Sequence, residues 1–246
     1  MLRDAHGCFV VDAQVQPGQR YQYVVDGEAV PDPASRWQPD GVHGPSVVVS
    51  DAFAWRHAQW QGRPWHEAVI VELHLGASGG IDAVIRQLPA LAALGVTAIE
   101  LMPLAQPPGT RNWGYDGVFP YAPAASLATP DQLRELVDAA HGLGLMVLLD
   151  VVYNHFGPDG NLLGRYASGF FREGAPTPWG DAIDFDQPMV QRFFTENALM
   201  WLRDYRFDGL RLDAVHAITP TSFLHTLREK ILAGVEAGRH VHLVLE

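Results

Sequence analysis

The sequence predicts an α/β fold, a (β/α)8 TIM barrel of which the first five strand–helix units are present. Short apolar runs alternate with segments whose apolar residues recur at helical spacing, a pattern typical of a parallel sheet with covering helices. The runs are apolar at nearly every position, as strands covered on both faces are. Polar side chains end four of them, at the edge where such barrels carry active sites: His74, Asp150, Asp213 and Glu246.

The barrel occupies residues 67–246 in this interpretation. An open, doubly wound sheet is the alternative, and we disfavour it because no glycine-rich phosphate loop follows any strand. A capping box, Thr129 to Gln132 with Pro130 at the first helical position, predicts the start of one helix. The strands are predicted at 68–74, 96–103, 144–152, 207–213 and 241–246, and the helical stripes at 81–92, 133–140, 190–205 and 223–231.

Residues 1–55 are predicted to be the C-terminal part of a β-sandwich module. Strand-like runs at 8–11, 21–25 and 46–49 are separated by turn residues, and Asp26-Gly27 predicts a hairpin. A connector, residues 56–66, joins the module to the barrel. Three tryptophans in and next to it permit two interpretations, packing between the domains or binding of sugar faces: Trp55, Trp60 and Trp65.

Composition excludes some partners. The formal net charge is −11 with only 17 lysines and arginines, which argues against nucleic acid and against an anionic membrane surface. A single cysteine, Cys8, excludes an internal disulfide and indicates a reducing compartment. The first residues lack the apolar core of a signal peptide, and no apolar run is long enough to cross a membrane. We therefore expect a cytoplasmic protein.

The stretch 207–216 carries the most chemistry. Leu210 and Leu212 point to one face of the predicted strand, and Arg211 and Asp213 to the other. Arginine and aspartate are rarely buried unless paired, so Arg211 can keep the Asp213 carboxylate ionised and oriented. An oriented carboxylate is a candidate nucleophile. A structural ion pair at a strand end is the alternative.

Glu246 gives Asp213 a chemical partner. The two residues end consecutive strands, one βα repeat apart. Neighbouring strands lie about 4.8 Å apart, so the two carboxylates are expected roughly 5 Å apart, the spacing of a retaining glycosidase. Asp213 would be the nucleophile and Glu246 the acid/base. The alternative for Glu246 is a residue without a role.

Further polar and aromatic residues follow the second and third strands. Trp113 and Tyr115 lie in the loop after the second strand, and Asp150 and His155 follow the third. An aromatic ring in a polar loop suits a sugar platform, and a histidine can hydrogen-bond sugar hydroxyls. Each could instead be a packing residue, but their convergence on one edge favours the functional interpretation.

Two motifs in order carry a resemblance to a known family. Asp150-Val-Val-Tyr-Asn-His155 and Gly209-Leu-Arg-Leu-Asp-Ala-Val-His216 resemble the first two signature regions of the α-amylase family, glycoside hydrolase family 13. Within that family the chain resembles the maltooligosyltrehalose trehalohydrolase group. The stretches that carry this finer resemblance are 100–103, 108–117, 155–161 and 177–186.

The resemblance implies a role for each site residue. It implies Asp213 as nucleophile, Glu246 as acid/base, and an α-1,4-glucan such as maltooligosyltrehalose as substrate, with no cofactor and no metal. It also implies a carbohydrate-binding module of family 48 before the barrel. The residues that it places around the substrate are Arg211 beside the nucleophile, His155 and His216 against the sugar, Tyr115 beneath it, and Asp150 as support. Trp113, in the loop beside Tyr115, is a candidate substrate-binding residue from its position.

The chain also departs from the family pattern. The loop 76–80 is short, and Leu127-Ala128 stands where a Tyr-Gly pair is common. Strands six to eight and a third aspartate after the seventh strand are expected outside these residues, so residues 1–246 alone are expected to be inactive, with the first and fifth strands as unpaired edges. A branching enzyme or another α-amylase-family enzyme, and a non-catalytic glucan-binding or inert fragment, remain alternatives.

Overall fold

The computed structural model describes residues 1–3 and 9–246. It confirms an α/β fold with a five-stranded parallel sheet. From one edge to the other, the strands lie in the order 242–245, 209–212, 146–151, 98–101 and 70–73. Cys8, on which the compartment prediction rests, lies outside the described residues, as does the beginning of the strand predicted at 8–11. No helix in the described part of the chain has the length and apolar character needed to cross a membrane.

The four predicted helices and the five predicted strands of the parallel sheet are observed to within a few residues at each end, whereas the short helix at 163–166 and the strands at 105–106, 119–123, 171–177 and 180–183 were not predicted. Helices are α1 (Ile81–Ala93), α2 (Pro130–Gly142), α3 (Leu163–Tyr166), α4 (Pro188–Arg203) and α5 (Ser222–Gly234). Strands are β1 (Leu2–Arg3), β2 (Phe9–Val10), β3 (Arg20–Tyr21), β4 (Tyr23–Val25), β5 (Glu28–Val30), β6 (Ser46–Val47), β7 (Ile70–Leu73), β8 (Ala98–Leu101), β9 (Ala105–Gln106), β10 (Phe119–Pro123), β11 (Met146–Val151), β12 (Phe171–Thr177), β13 (Gly180–Ile183), β14 (Gly209–Leu212) and β15 (His242–Leu245).

The start of α2 confirms the predicted capping box. The Gln132 amide N–H donates to Thr129 Oγ1 at 3.3 Å, and the Thr129 N–H donates to Gln132 Oε1 at 2.9 Å. Two otherwise unpaired donors of the first turn are thus satisfied, and Pro130 needs no donor there. α2 packs against α1, and both cover the sheet with apolar stripes.

The central strands are covered on both faces and the edge strands are not. Every residue of β11 is buried, whereas Val69 and Ile70 near the β7 edge and Leu245 on β15 are exposed. The prediction of strands buried on both faces therefore holds for the centre of the sheet. The first and fifth strands form its two edges, as predicted.

Before the sheet, the chain forms small antiparallel pairs: β1 with β2, β3 with β6, and β4 with β5. The Asp26-Gly27 turn joins β4 to β5 with φ values of 51° and 86°. Two successive positive φ values are those of a type I′ turn, whose twist suits a hairpin. The hairpin predicted from Asp-Gly is confirmed.

The connector is anchored beneath the sheet by Asp208, the residue before β14. Its buried carboxylate accepts hydrogen bonds from Trp60 Nε1 at 2.8 Å, His141 Nε2 at 2.9 Å and the Val147 amide at 2.8 Å. The Trp60 ring also stacks on His141. Trp60 therefore packs the connector against the strand that follows Asp208 and against the α2 helix that carries His141. Trp55 contacts Phe53, and Trp65 contacts His242.

We expect Asp208→Ala to lower the free energy of unfolding by about 3 kcal/mol, because it leaves three buried donors without their charged acceptor. Urea unfolding followed by tryptophan fluorescence measures the change. The matched control is Asp12→Ala at an exposed position, expected within about 0.5 kcal/mol of the parent protein. Equal stability of the two variants would contradict the anchoring role.

Candidate active site

The carboxyl ends of β11, β14 and β15 bring four charged side chains together. Asp150 on β11 lies opposite Arg211 on β14, and Arg211 lies opposite Val244 on β15. Asp213 and Glu246 continue this register: the Asp213 N–H donates to Val151, and the Glu246 N–H donates to Leu212. Because parallel strands end at one edge, residues distant in sequence share one site.

The Arg211 guanidinium is the centre of this site. Its Nη1 atom lies 2.5 Å from Asp150 Oδ2 and 3.5 Å from Asp213 Oδ1, and its Nη2 atom lies 3.5 Å from Glu246 Oε1. The predicted pairing of Arg211 with Asp213 is therefore present. The shortest contact, however, is to Asp150, because strand register places that carboxylate directly opposite Arg211. Sequence spacing alone did not indicate this pair.

Glu246 is held next to Asp213 by the turn that follows β14. The Ala214 amide donates to Glu246 Oε2 at 2.7 Å, and the Val215 amide donates to the Glu246 carbonyl at 3.0 Å. Ala214 adopts φ 45°, in the left-handed region that costs a residue with a Cβ about 1–2 kcal/mol. The strained turn directs two amides at Glu246, so this residue is hydrogen-bonded in place.

Asp150 is buried, and the two oxygens of its carboxyl differ in their hydrogen-bond partners. Tyr115 donates its hydroxyl to Oδ2 at 2.9 Å, the oxygen that also faces Arg211. Oδ1 is buried without a hydrogen-bond partner in the described part of the chain. Burial raises the pKa of Asp150 to about 7, against the lowering effect of Arg211 and Tyr115. The pKa of Tyr115 is also raised, by burial and then by the Asp150 charge.

His155 lies between the Tyr115 loop and a hairpin. Its Nε2 atom is 2.8 Å from the Tyr115 carbonyl, and its ring stacks on Trp179 with centroids 4.5 Å apart and planes 12° apart. Burial lowers the pKa of His155. Trp179 lies in the turn between β12 and β13. The hairpin thus covers one side of the residues that the sequence placed around a substrate.

Two contributors, Asn154 and Trp179, were not assigned roles from the sequence. Asn154 Nδ2 donates to the main-chain oxygen of Asp213 and to its Oδ2 atom, both at 2.9 Å. Both residues stand inside motifs that the sequence singled out. Adjacency of Asn154 to His155 was a usable signal, whereas the stacking of Trp179 depends on how the β12–β13 hairpin folds back.

Two predicted residues make no hydrogen bond or ion pair with the carboxylate cluster in the described part of the chain. His216 is exposed in a short 3-10 helix, Val215–Ala217, and has no hydrogen bond within residues 1–3 and 9–246. Trp113 is 73% exposed and lines a cavity of about 610 Å³ beside the cluster, together with His74, Met102 and Leu127. His74 links two loops, accepting from the Ala77 amide and donating to the Asn112 carbonyl.

In the part of the chain that the structure describes, no three histidine, cysteine, aspartate or glutamate side chains are grouped to hold a metal ion. The cluster is instead organised by one guanidinium facing three carboxylates.

Tyr115→Phe tests the Asp150 pKa. Because the folded pKa lies above the ordinary value near 3.9, the stability that this group contributes is present in acid and is lost as the pH rises through about 7. The Tyr115 hydroxyl opposes that shift. Its removal should therefore cost about 2 kcal/mol at pH 8, where the ionised acceptor dominates, and about 1 kcal/mol at pH 5.

Urea unfolding at the two pH values measures this difference. Tyr166→Phe is the matched control, since within the described residues the Tyr166 hydroxyl has no hydrogen-bond partner. Equal costs of Tyr115→Phe at pH 5 and pH 8 would show that the hydroxyl does not support an ionising carboxyl.

Comparison with known proteins places this site in a family. The family model described as alpha amylase, catalytic domain, matches residues 40–168. A malto-oligosyltrehalose trehalohydrolase of Deinococcus radiodurans is 49% identical over 243 residues, covering 97% of this chain and 40% of that protein. A 1,4-alpha-glucan branching enzyme of Streptomyces coelicolor is 35% identical over 223 residues, covering 82% of this chain and 30% of that protein.

A solved structure is also similar to this chain. A crystal structure of an alpha-amylase-like protein from Salmonella typhimurium superimposes with a TM-score of 0.90 at 46% identity, covering 95% of this chain and 41% of that one. The chain thus spans about two fifths of the length of the first relative. Since the catalytic-domain model matches more than half of the 246 residues, the resemblance inferred from the two motifs is confirmed, and the chain belongs to the α-amylase family.

Proposed function

We propose that this protein is a retaining glycoside hydrolase that cleaves the α-1,4 bond next to the terminal trehalose of maltooligosyltrehalose and releases trehalose. The observation that carries the proposal is the Arg211 guanidinium, whose two terminal nitrogens face Asp213 and Glu246 at adjacent strand ends. The similarity to the Deinococcus radiodurans enzyme supports the choice of substrate.

The chemistry follows from two carboxylates with different roles. An Asp213 oxygen attacks the anomeric carbon while the bond from that carbon to the leaving oxygen breaks, and protonated Glu246 gives its proton to that oxygen. Ionised Glu246 then takes a proton from water as the water oxygen displaces Asp213. Trehalose leaves in the first step, and the shortened glucan with retained configuration leaves in the second.

The surroundings support each role. Arg211 and Asn154 hold Asp213 by separate oxygens, Oδ1 and Oδ2, and fixed orientation of a nucleophile lowers the barrier to attack. The Glu246 side chain is about half exposed, so it can reach a leaving oxygen and solvent. The expected carboxylate separation of about 5 Å is the feature that favours retention over inversion.

Aromatic and polar residues would bind the sugars. Tyr115 and His155 lie beside the nucleophile, with Asp150 bonded to Tyr115 beneath them. Trp113 would offer its exposed face at the neighbouring cavity, and His216 would reach the sugar from the turn after Asp213. Aromatic faces and hydrogen-bonding side chains suit neutral sugar rings.

The architecture completes the proposal. We place the five strands as the start of an α-amylase-type (β/α)8 barrel, residues 67–246, after a β-sandwich module in residues 1–55 and a connector in 56–66. The reaction requires no cofactor in this mechanism. We place the protein in the cytoplasm, from the sequence composition.

A branching enzyme is the second candidate, favoured by the similarity to the Streptomyces coelicolor protein. Both enzymes form the same covalent intermediate and differ in the acceptor, which is water in hydrolysis and a glucan hydroxyl in branching. The products therefore distinguish them.

The test is incubation with maltooligosyltrehalose and, separately, with amylose. We assay residues 1–246 and any longer product of the same gene side by side. Trehalose release, with the new reducing end formed as the α anomer by NMR, supports the proposal. New α-1,6 branches in amylose without trehalose would overturn it, and so would a β-anomeric first product.

Removing either carboxylate should abolish most activity. Glu246→Gln should lower kcat by about 10²–10⁴-fold, the range of a general acid/base, and Asp213→Asn should leave no covalent turnover. Glu229→Gln and Asp82→Asn, both exposed on helices, are matched controls expected to keep kcat. Comparable losses in the controls and the site variants would sink the assignment.

Arg211→Lys tests the bridging role. A lysine ammonium is one point charge and cannot face three carboxylates with a planar pair of donors. We expect kcat to fall about 100-fold through misplacement of Asp213 and Glu246, with little change in KM. Arg192→Lys, on the exposed face of α4, is the control. Full activity of Arg211→Lys would show that charge alone suffices.

A further inference from the structure

His155 faces hydrogen-bond acceptors with both ring nitrogens. Its Nε2 atom lies 2.8 Å from the Tyr115 carbonyl oxygen, and its Nδ1 atom lies 2.5 Å from Asn154 Oδ1. A neutral imidazole carries one N–H and can donate to only one of them, whereas an imidazolium donates to both. The protonation state of His155 is therefore linked to the orientation of the Asn154 amide.

The Asn154 amide is oriented in turn by Asp213. Its Nδ2 atom lies 2.9 Å from both the Asp213 carbonyl and the Asp213 Oδ2 atom, and both are acceptors when the carboxylate is ionised. The amide nitrogen must then point to Asp213, which leaves the amide oxygen on His155. Reversal of the amide would set its oxygen against two oxygens of Asp213, and a proton on the carboxyl would relieve only the contact with Oδ2.

Two proton arrangements are compatible with the side-chain contacts, and the second leaves the Asp213 carbonyl without its donor. In one, Asp213 is ionised and His155 is an imidazolium. In the other, Asp213 is protonated and donates to the reversed Asn154 amide, whose NH₂ donates to a neutral His155. The geometry points to Asn154 as a positioning residue that couples the protonation of His155 to the ionisation of Asp213.

The catalytic role of this coupling rests on the proposed function. The ionised form of Asp213 is the one that attacks a sugar, and the coupling places a second cation beside it, opposite Arg211. A neutral His155 that keeps its proton on Nε2 presents a bare Nδ1 to the Asn154 oxygen, and turning the amide to relieve that repulsion directs its oxygen at Asp213. In this tautomer, loss of the second proton loosens Asp213.

The charged groups that act on His155 come from two elements. Asp213 follows β14, and Asp116 stands in the loop after Tyr115; both carboxylates favour the imidazolium, as does the Tyr115 carbonyl. Burial acts the other way and lowers the pKa of His155. Trp179 covers the ring without adding charge.

The experiment is a double-variant cycle read by NMR without substrate. Histidine ¹⁵N shifts distinguish protonated from bare ring nitrogens, and His155→Gln identifies the His155 signals. We expect Asp213→Asn to lower the His155 titration midpoint by about one pH unit when Asn154 is present. In the Asn154→Ala background the same change should lower it by less than half as much. Equal shifts in the two backgrounds would overturn the coupling.

Two further variants complete the design. Asn161→Ala, an asparagine whose side chain bonds the Leu163 amide outside this network, should leave the His155 midpoint unmoved. Should Asn154→Ala not fold, Asn154→Asp preserves the shape and the acceptor towards His155 and should raise the midpoint; an unchanged or lowered midpoint would overturn the inference.

Activity gives an independent readout where trehalose release is measurable. In Asn154→Ala the alkaline limb of kcat/KM should move to lower pH by the shift that NMR reports for His155, and an unmoved limb contradicts the positioning role. Because the NMR cycle uses no substrate, it stands or falls separately from the proposed reaction.

Discussion

One guanidinium, that of Arg211, faces three carboxylates, and the candidate site depends on this contact. Asp150, Asp213 and Glu246 end three neighbouring strands, so their side chains must converge on one small volume. Like charges so close would oppose folding, and Arg211 offsets part of that repulsion from the centre. The closest carboxylate, Asp150, is also the most buried, and burial raises its pKa to about 7. Burial thus disfavours the ionised form of the carboxyl that lies closest to Arg211.

Strand β14 connects this site to the rest of the fold. Asp208 lies just before it and anchors the connector through Trp60 and the α2 helix through His141. Arg211 and Asp213 lie at its other end. A polar cluster at each end and buried Leu210 and Leu212 between them leave the strand little freedom to slip. The position of Asp213 is thereby tied to the packing of residues 56–66 against the parallel sheet.

The hydrogen-bond network adds a second layer around Asp213. Arg211 contacts one carboxylate oxygen and Asn154 the other, while Asn154 also faces His155. His155 is in turn fixed by the Tyr115 carbonyl and by the face of Trp179. Each group around the nucleophile is held by a further partner, the arrangement that preorganised sites require.

Much of this could be predicted from residues alone. The alternation of apolar runs with helical stripes predicted the parallel sheet, because helices with apolar stripes cover its central strands. The capping box at Thr129 and the Asp26-Gly27 turn are local interactions, and both are observed as predicted. The convergence of Asp150, Arg211, Asp213 and Glu246 also followed, since parallel strands present their carboxyl ends at one edge.

Only the tertiary structure decided which partners meet. Strand register paired Arg211 most closely with Asp150, the left-handed turn at Ala214 fixed Glu246, and the hairpin brought Trp179 onto His155. His216 and Trp113 are exposed and make no hydrogen bond to the cluster within the described residues, because loop conformation, which no periodicity records, sets their positions.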